Sequence, residues 1–421
     1  MIDVPLSGNS EWRNTLKTLS LPLSVENDPL LVECLESITS GGYVDVQQGV
    51  KLFESSNISG ISALADLIKK SRFGNYVYFN DNLHVNTTNI CVLACRFCAF
   101  RKGPRHNDAY ALSVDEYLHR IEPFSQVIDE VHSVGGLHPD WTVNYYEELY
   151  RAAKKTYPNI HIKSLTAVEV KHIATRSGIS VKETLSRLKL AGLDSLPGGG
   201  AEILVDSVRD RICRGKESSD EYLKIHEIAH GLGIKTNCTM LFGTVETVTE
   251  RAVHLSRLRQ QQDLSNGFQC FVPYPFLPDK TRLPEAQLAS MNEIIRVIAI
   301  SRIMLDNIPH IKAYRMNIGS HVASIALNSG ADDIDGTVVR GTEASLILLA
   351  EQFIKMGIKV DYCNSINHMK KVNGVNYFNK KNIDKNFTYN LAIAISDANE
   401  FDRVTSIKKA VFSNSNQPIE K

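Results

Sequence analysis

A chain of 421 residues is long enough for one large barrel domain with flanking pieces or for two domains, and the first is the simpler reading. Its 47 basic and 47 acidic residues cancel, so no electrostatic footprint for nucleic acid or an anionic membrane is present in the total. The N-terminus lacks a basic region followed by an apolar run, and no apolar stretch is long enough to span a bilayer. A cytoplasmic small-molecule enzyme is expected, with no nucleic-acid or membrane partner.

Residues 1–80 read as an N-terminal helical extension, because DPLLVECLESI, VQQGVKLFES and ISALADLIKKSRF carry apolar residues at three- and four-residue spacing. From 81 to 340, strand-like and helical runs alternate. Strands are expected near 83–88, 127–134, 160–165, 193–196, 234–241, 268–273, 310–315 and 333–338. Ser113 with Glu116, Ser180 with Glu183, Ser218 with Glu221 and Thr247 with Glu250 match the capping box that opens a helix. Strand then capped helix, repeated eight times, predicts an α/β fold of the (β/α)8 TIM-barrel type. An open or partial barrel is the alternative. Residues 341–421 begin with a helical run and end in an Asn- and Lys-rich tail of disordered composition, a short C-terminal extension.

Side chains alternate faces along a strand, so each strand divides into two sets. One is apolar: Leu83 and Val85; Ile160 and Ile162; Phe268, Cys270 and Val272; Ile311 and Ala313. The other is polar: His84, Asn86 and Thr88; Glu130 and His132; His161 and Lys163; Asn237 and Thr239; Gln269; Lys312 and Tyr314; Asp333 and Asp335. Helices cover the apolar set, which turns the polar set into the lumen and predicts a polar substrate. The same parity puts Cys238 and Cys270 in the outer, helix-facing layer as small hydrophobes.

Cys91, Cys95 and Cys98 stand apart from these, on one short loop with the spacing C-x3-C-x2-C. A structural zinc would want a fourth ligand nearby, and none follows at a characteristic spacing. Three thiolates fit a 4Fe-4S cluster with one open iron better. A closed zinc site or an incidental group of core cysteines is the alternative.

Two glycine-rich turns follow strand ends, where barrel active sites are built. Gly135 and Gly136 permit either close approach of backbone to a ligand or an ordinary positive-φ turn. Gly198, Gly199 and Gly200 offer N–H groups to an anion, with Glu202 as a carboxylate for a ribose or amine; a flexible linker is the alternative. His138, Glu169 and Arg302 each have an ordinary structural explanation in a loop, a helix first turn and a helix surface.

The cysteine loop resembles that of the radical S-adenosylmethionine (SAM) enzymes. The resemblance implies that Cys91, Cys95 and Cys98 hold one 4Fe-4S cluster and that SAM is a cosubstrate, cleaved to a 5′-deoxyadenosyl radical by an electron from a flavodoxin- or ferredoxin-type reductant. It puts Phe97 near the adenine, Gly135 and Gly136 near the methionyl group, and Glu169, Gly198, Gly199, Gly200 and Glu202 among the residues that bind the cofactor. Over about residues 50–340, the blocks GGLHPDWTVNYYEELYRA, IHIKSLTAVEV, SLPGGGAEIL, HGLGIKTNCTMLFGTVET and FVPYPFLPDKTRL resemble the aminodeoxyfutalosine synthase family of menaquinone biosynthesis. The related cyclase and the halves of deazaflavin synthase share them, whereas IKAYRMNIG and DDIDGTVV resemble the synthase more. The resemblance implies a transferase that adds the radical to the enolpyruvyl double bond of 3-[(1-carboxyvinyl)oxy]benzoate. Lys163, Lys312 and Arg302 are then the cations for its carboxylates, with His132 beside them as a catalytic candidate. Hydrogen abstraction, as in the cyclase, and a non-catalytic iron–sulfur electron carrier are the alternatives.

Overall fold

The computed structural model of the chain describes residues 11–126, 128–338 and 359–360. Among these, eight strands run parallel: β1 Tyr76–His84, β2 Glu130–Ser133, β3 His161–Ser164, β4 Ser195–Leu196, β5 Lys235–Phe242, β6 Phe268–Pro275, β7 His310–Ala313 and β8 Asp333–Val338. Each pairs with the next, and β1 lies between β8 and β2, which closes the barrel. A short further strand, β9 Lys359–Val360, pairs with the start of β1 at Tyr76 and Val77. The remainder of the expected C-terminal extension, 341–421, lies outside the described residues.

The strand-to-helix alternation is set locally. Ser113, Ser218 and Thr247 form complete capping boxes with Glu116, Glu221 and Glu250, and Ser180 accepts from the Glu183 N–H. A further box, Thr166 with Glu169, opens helix Ala167–Ser177 directly after β3. Such caps satisfy N–H groups that the first helical turn leaves without partners, so each crossover begins at a defined residue.

β1 begins well ahead of the expected 83–88. Its polar residues Asn80 and Asn82 disguise the alternation in the sequence; both are buried, and they pair in register with Asp335 and Thr337 of β8. Following the registers round the barrel gives one continuous inner face: Asn80, Asn82 and His84; Glu130 and His132; His161 and Lys163; Ser195; Asn237 and Thr239; Lys312; Asp333 and Asp335. The polar lumen expected from parity is therefore present.

In β6 the parity expectation fails. A register shift between Thr236 and Asn237 lets Phe268 face Thr236 and Cys270 face Asn237, so Gln269 is stepped over. One extra residue in a strand reverses the face of everything after it. Phe268 keeps the outward side, against the rings of His226 and His230. Cys270 turns inward, with its sulfur 3.8 Å from Asp333 Oδ2, and is not in the outer layer. Cys238 pairs in register with Phe271, whose ring lies 6.4 Å from His254 on helix Val248–Ser265, and so keeps its outer place.

The N-terminal ends of the strands are closed by helices Glu11–Thr18, Leu23–Glu26, Pro29–Thr39, Val46–Glu54 and Ile58–Phe73. Phe73 stacks on His310 at the start of β7, ring centroids 5.1 Å apart. Asp306 ties the layer together, accepting from Arg13 at 2.7 Å and from Arg259, while its carbonyl accepts from Arg72. Beside it Asp332 takes Arg302 and, at 2.5 Å, His310. Burial alone would raise the Asp332 carboxyl, but His310 and Arg302 outweigh it and hold it at about 2.

Burial also keeps several imidazoles neutral. His84 is lowered to about 4, His230 and His254 to about 3, and His132 and His226 well below the usual value, in each case chiefly by desolvation. A depressed folded-state pKa contributes stability that is present above the unfolded value of 6.5 and lost as pH falls toward the folded value. Glu169, raised to about 7, and Glu217 and Asp335, also raised, act in the opposite sense. The imidazoles outnumber them, so the melting temperature is expected to be lower at pH 5 than at pH 7.5 by about 5 °C or more in a thermal melt. An unchanged or higher value at pH 5 would contradict this balance.

Candidate active site

The C-terminal ends of the strands carry the polar loops. After β1 the chain enters the cysteine loop, whose backbone is fastened at many points. Val92 N–H donates to Leu137 O at 3.1 Å, Arg96 N–H to Ile212 O at 2.8 Å and Cys91 N–H to Lys102 O at 3.2 Å. Arg282 returns from the loop after β6 to the Ala94 carbonyl at 2.8 Å, and Arg96 grips Glu285 through two bonds of 2.6 and 2.8 Å. Cys95 is buried, Cys91 and Cys98 are half-buried, and all three thiols are free. Burial raises the Cys95 thiol to about 11, and Cys98 and Cys91 are among the groups that push it up, so the three share one neighbourhood.

Gly136 explains why a glycine pair follows β2. A Cβ there would lie 2.2 Å from Ile90 O and 3.0 Å from Cys91 Cβ, so the loop after β2 supports the cysteine loop from beneath. Gly136→Ala is expected to displace Cys91 and to lower bound iron by about half or more, since thiolate placement sets cluster occupancy. Iron analysis against wild type checks it; full occupancy would show that the contact is not needed.

Gly135 N–H donates to Glu169 Oε1 at 2.8 Å, and Glu169 Oε2 accepts from Thr166 N–H and Oγ1, both at 2.7 Å. Burial raises this carboxyl to about 7 against the pull of those donors. Glu169 thus joins the loops after β2 and β3.

The second glycine turn is also built rather than loose. Gly198 has φ +80°, and a Cβ would sit 2.1 Å from Asn237 O, which only glycine tolerates. Its carbonyl accepts from Tyr222 Oη at 2.6 Å and Thr239 Oγ1 at 3.0 Å. Arg209 donates to the carbonyls of Gly200, at 3.1 Å, and Ala201, and to Glu217 Oε1, at 3.2 Å. With its carbonyls held from behind, no N–H of Gly198, Gly199 or Gly200 meets a partner among the described residues. Amides without protein partners are the donors that anion cradles use. Glu202 pairs with Lys216, whose Nζ lies 5.4 Å from the centre of the half-buried Phe97 ring. The turn after β4 and the cysteine loop therefore meet at Phe97. Lys216 carried no spacing signal in the sequence.

Inside the lumen, Lys163 Nζ lies 2.7 Å from Glu130 Oε2, and Lys312 Nζ is paired with Asp333 at 2.5 Å and lies 3.3 Å from Asn80 Oδ1. The lysines expected as spare cations have carboxylate partners, so each offers a donor held in place rather than an uncompensated charge. His132 stacks on His84 at 4.5 Å where β1 and β2 end, and His84 Nε2 is buried with no hydrogen-bond partner. Arg302 requires correction. It is fully buried at the opposite end of the barrel, bonded to Asp332 and to the carbonyls of Gly330 and Pro309, and holds the closing layer.

A loop that gathers three thiols at the mouth of a closed parallel barrel, beside two glycine turns, matches the comparisons with known proteins. Residues 85–258 match the model of the radical SAM superfamily, and residues 265–362 match that of the CofH/MqnC C-terminal region. The chain is 37% identical over 317 residues to an aminodeoxyfutalosine synthase of Thermus thermophilus, covering 74% of this chain and 85% of that one. It belongs to the radical SAM superfamily, in the futalosine-type family. This radical SAM enzyme is also 38% identical to a cyclic dehypoxanthine futalosine synthase of Streptomyces coelicolor, over 71% of this chain and 76% of that protein. It is 37% identical to a 5-amino-6-(D-ribitylamino)uracil–L-tyrosine 4-hydroxyphenyl transferase of Methanoculleus marisnigri, over 74% and 86%.

Membership implies a 4Fe-4S cluster and SAM, and the donor set fits. Among the described residues no three His, Cys, Asp or Glu side chains converge as the cage of a single ion. A cluster holds each thiolate on a separate iron, and the three thiols of the fastened loop are in electrostatic reach of one another, which suits it. No helix among the described residues is long and apolar enough to cross a membrane.

Proposed function

We propose that this radical SAM enzyme is an aminodeoxyfutalosine synthase, which joins the 5′-deoxyadenosyl group of SAM to the enolpyruvyl double bond of 3-[(1-carboxyvinyl)oxy]benzoate with loss of carbon dioxide. The observation that carries the reading is where its synthase-like segments lie. IKAYRMNIG supplies Lys312, and DDIDGTVV supplies Asp333 and Asp335, all on the inner barrel face where an acceptor is chosen. Identity alone does not separate synthase from cyclase.

Cys91, Cys95 and Cys98 would hold one 4Fe-4S cluster, which would supply the electron for cleavage of SAM after reduction by a flavodoxin- or ferredoxin-type protein. The chain's own residues do the rest. Phe97 takes the adenine, the loop at Gly135 and Gly136 the methionyl end, and the amides of Gly198 to Gly200 with Glu202 the remaining polar groups of SAM. Glu169 positions Gly135 through its hydrogen bond. Lys163, Lys312, His84 and His132 line the chamber in which the acceptor meets the radical, and the closed strand ring shields it from water.

The test is the mass of the product. Enzyme, SAM, reductant and acceptor are expected to yield a product containing both adenosine and the aryl group. Free 5′-deoxyadenosine formed one for one with a cyclised product from dehypoxanthine futalosine would overturn the reading in favour of hydrogen abstraction, the alternative supported by the equally similar cyclase.

A further inference from the structure

Most buried cations of this protein have a partner in reach. Lys163 has Glu130, Lys216 has Glu202, Arg209 has Glu217 and Arg302 has Asp332. Arg315 does not. It is 5% exposed, forms no ion pair among the described residues, and its Nε is buried without a hydrogen-bond partner. Among the described residues its guanidinium has one side-chain hydrogen-bond contact, Nη2 to Met316 Sδ at 3.8 Å, a weak acceptor.

Its place is defined. β7 ends at Ala313, so Arg315 stands at the same end of the barrel as the cysteine loop and opens helix Arg315–Ala326. Its own N–H donates to Asp335 Oδ1 at 2.5 Å, which fixes the backbone against β8. Next to it the ring of Tyr314 meets the ring of Tyr274 edge-on at 5.0 Å, an aromatic wall contributed by the ends of β6 and β7. A buried guanidinium with no carboxylate hydrogen-bonded to its N–H fork is costly, and that fork matches a carboxylate through two bonds.

We infer that Arg315 is the anchor for a carboxylate at the mouth of the barrel, and that the ligand is an aryl carboxylate whose ring lies against Tyr274 and Tyr314. This rests on the synthase reading for the identity of the acceptor, whose benzoate group has that chemistry. SAM's methionyl carboxylate has the same chemistry, and the experiment separates the two.

Wild type, Arg315→Met and Arg315→Lys are compared with the acceptor, with an analogue lacking the ring carboxylate, and for SAM cleavage without acceptor. Arg315→Met is expected to lower kcat/KM for the acceptor by about 30-fold or more, the scale for truncating one partner of a buried charge pair, mainly through KM. The loss is expected to vanish with the analogue, and Arg315→Lys to recover part of it. Equal losses with both compounds, or no loss, would overturn the assignment, and a parallel loss of SAM cleavage would give the site to SAM instead. Calorimetry with benzoate alone is independent of turnover: binding to wild type and not to Arg315→Met supports the anchor, and equal or absent binding to both counts against it. Wild type that binds benzoate in this way yet makes no adduct would overturn the synthase reading and leave the carboxylate site standing.

Discussion

Replacing Cys91, Cys95 or Cys98 by Ala is expected to remove SAM cleavage almost completely, by at least about a thousandfold, or about 4 kcal/mol of transition-state stabilisation. The loop has three free thiols; the neighbouring Cys213, in electrostatic reach of Cys95, follows a helix off the loop and is buried, with its thiol pushed up to about 12 chiefly by burial. Iron is expected to fall from about four per chain to well below one in each variant. Cys238→Ser and Cys270→Ser are the controls. Both side chains are fully buried, burial raises both thiols well above their usual value, and neither lies on the loop. They should retain wild-type iron even though they differ in position, one against the outer helices and the other beside Asp333 in the lumen. A cysteine-loop variant that still binds four irons and cleaves SAM would sink the assignment of the loop.

What could be read from the sequence follows from what local chemistry dictates. Capping residues and alternating strands depend on neighbours one to four residues away, so the barrel and its polar lumen were legible before any coordinates. The face of Cys270 was not, because the step past Gln269 is decided by how β6 fits β5 and leaves no residue signature. Arg302 was misplaced for a related reason. On a helix it reads as a solvated charge or a substrate cation, and only the fold shows that Asp332 and three carbonyls surround it at the closed end. Arg315 was hidden because 310–315 reads as one strand, whose alternation would put position 315 with Ile311 and Ala313. β7 stops at Ala313, and past a strand's end alternation no longer says where a side chain goes.

The lumen lysines give the second large effect, and their ion pairs change what a substitution does. Lys163 and Glu130 are both buried, 5% and 0% exposed in their side chains, and their charged atoms are 2.7 Å apart. Lys163→Met removes the positive charge and leaves the Glu130 carboxylate in the barrel, with Asn80 Nδ2 as a donor at 3.4 Å. Breaking one side of such a pair costs about 3–5 kcal/mol, whereas replacing both charges by neutral groups of similar volume is nearly neutral. Lys163→Met is therefore expected to unfold at clearly lower urea concentration than wild type, and Lys163→Met with Glu130→Gln to recover most of the difference. This also makes a kinetic question answerable. With stability restored, any remaining fall in kcat/KM for the acceptor reports the lost lysine donor, expected at about tenfold for one hydrogen bond. If Lys163→Met alone is as stable as wild type, Glu130 does not depend on the lysine, and the lumen is wetter or differently protonated than the ion pair implies.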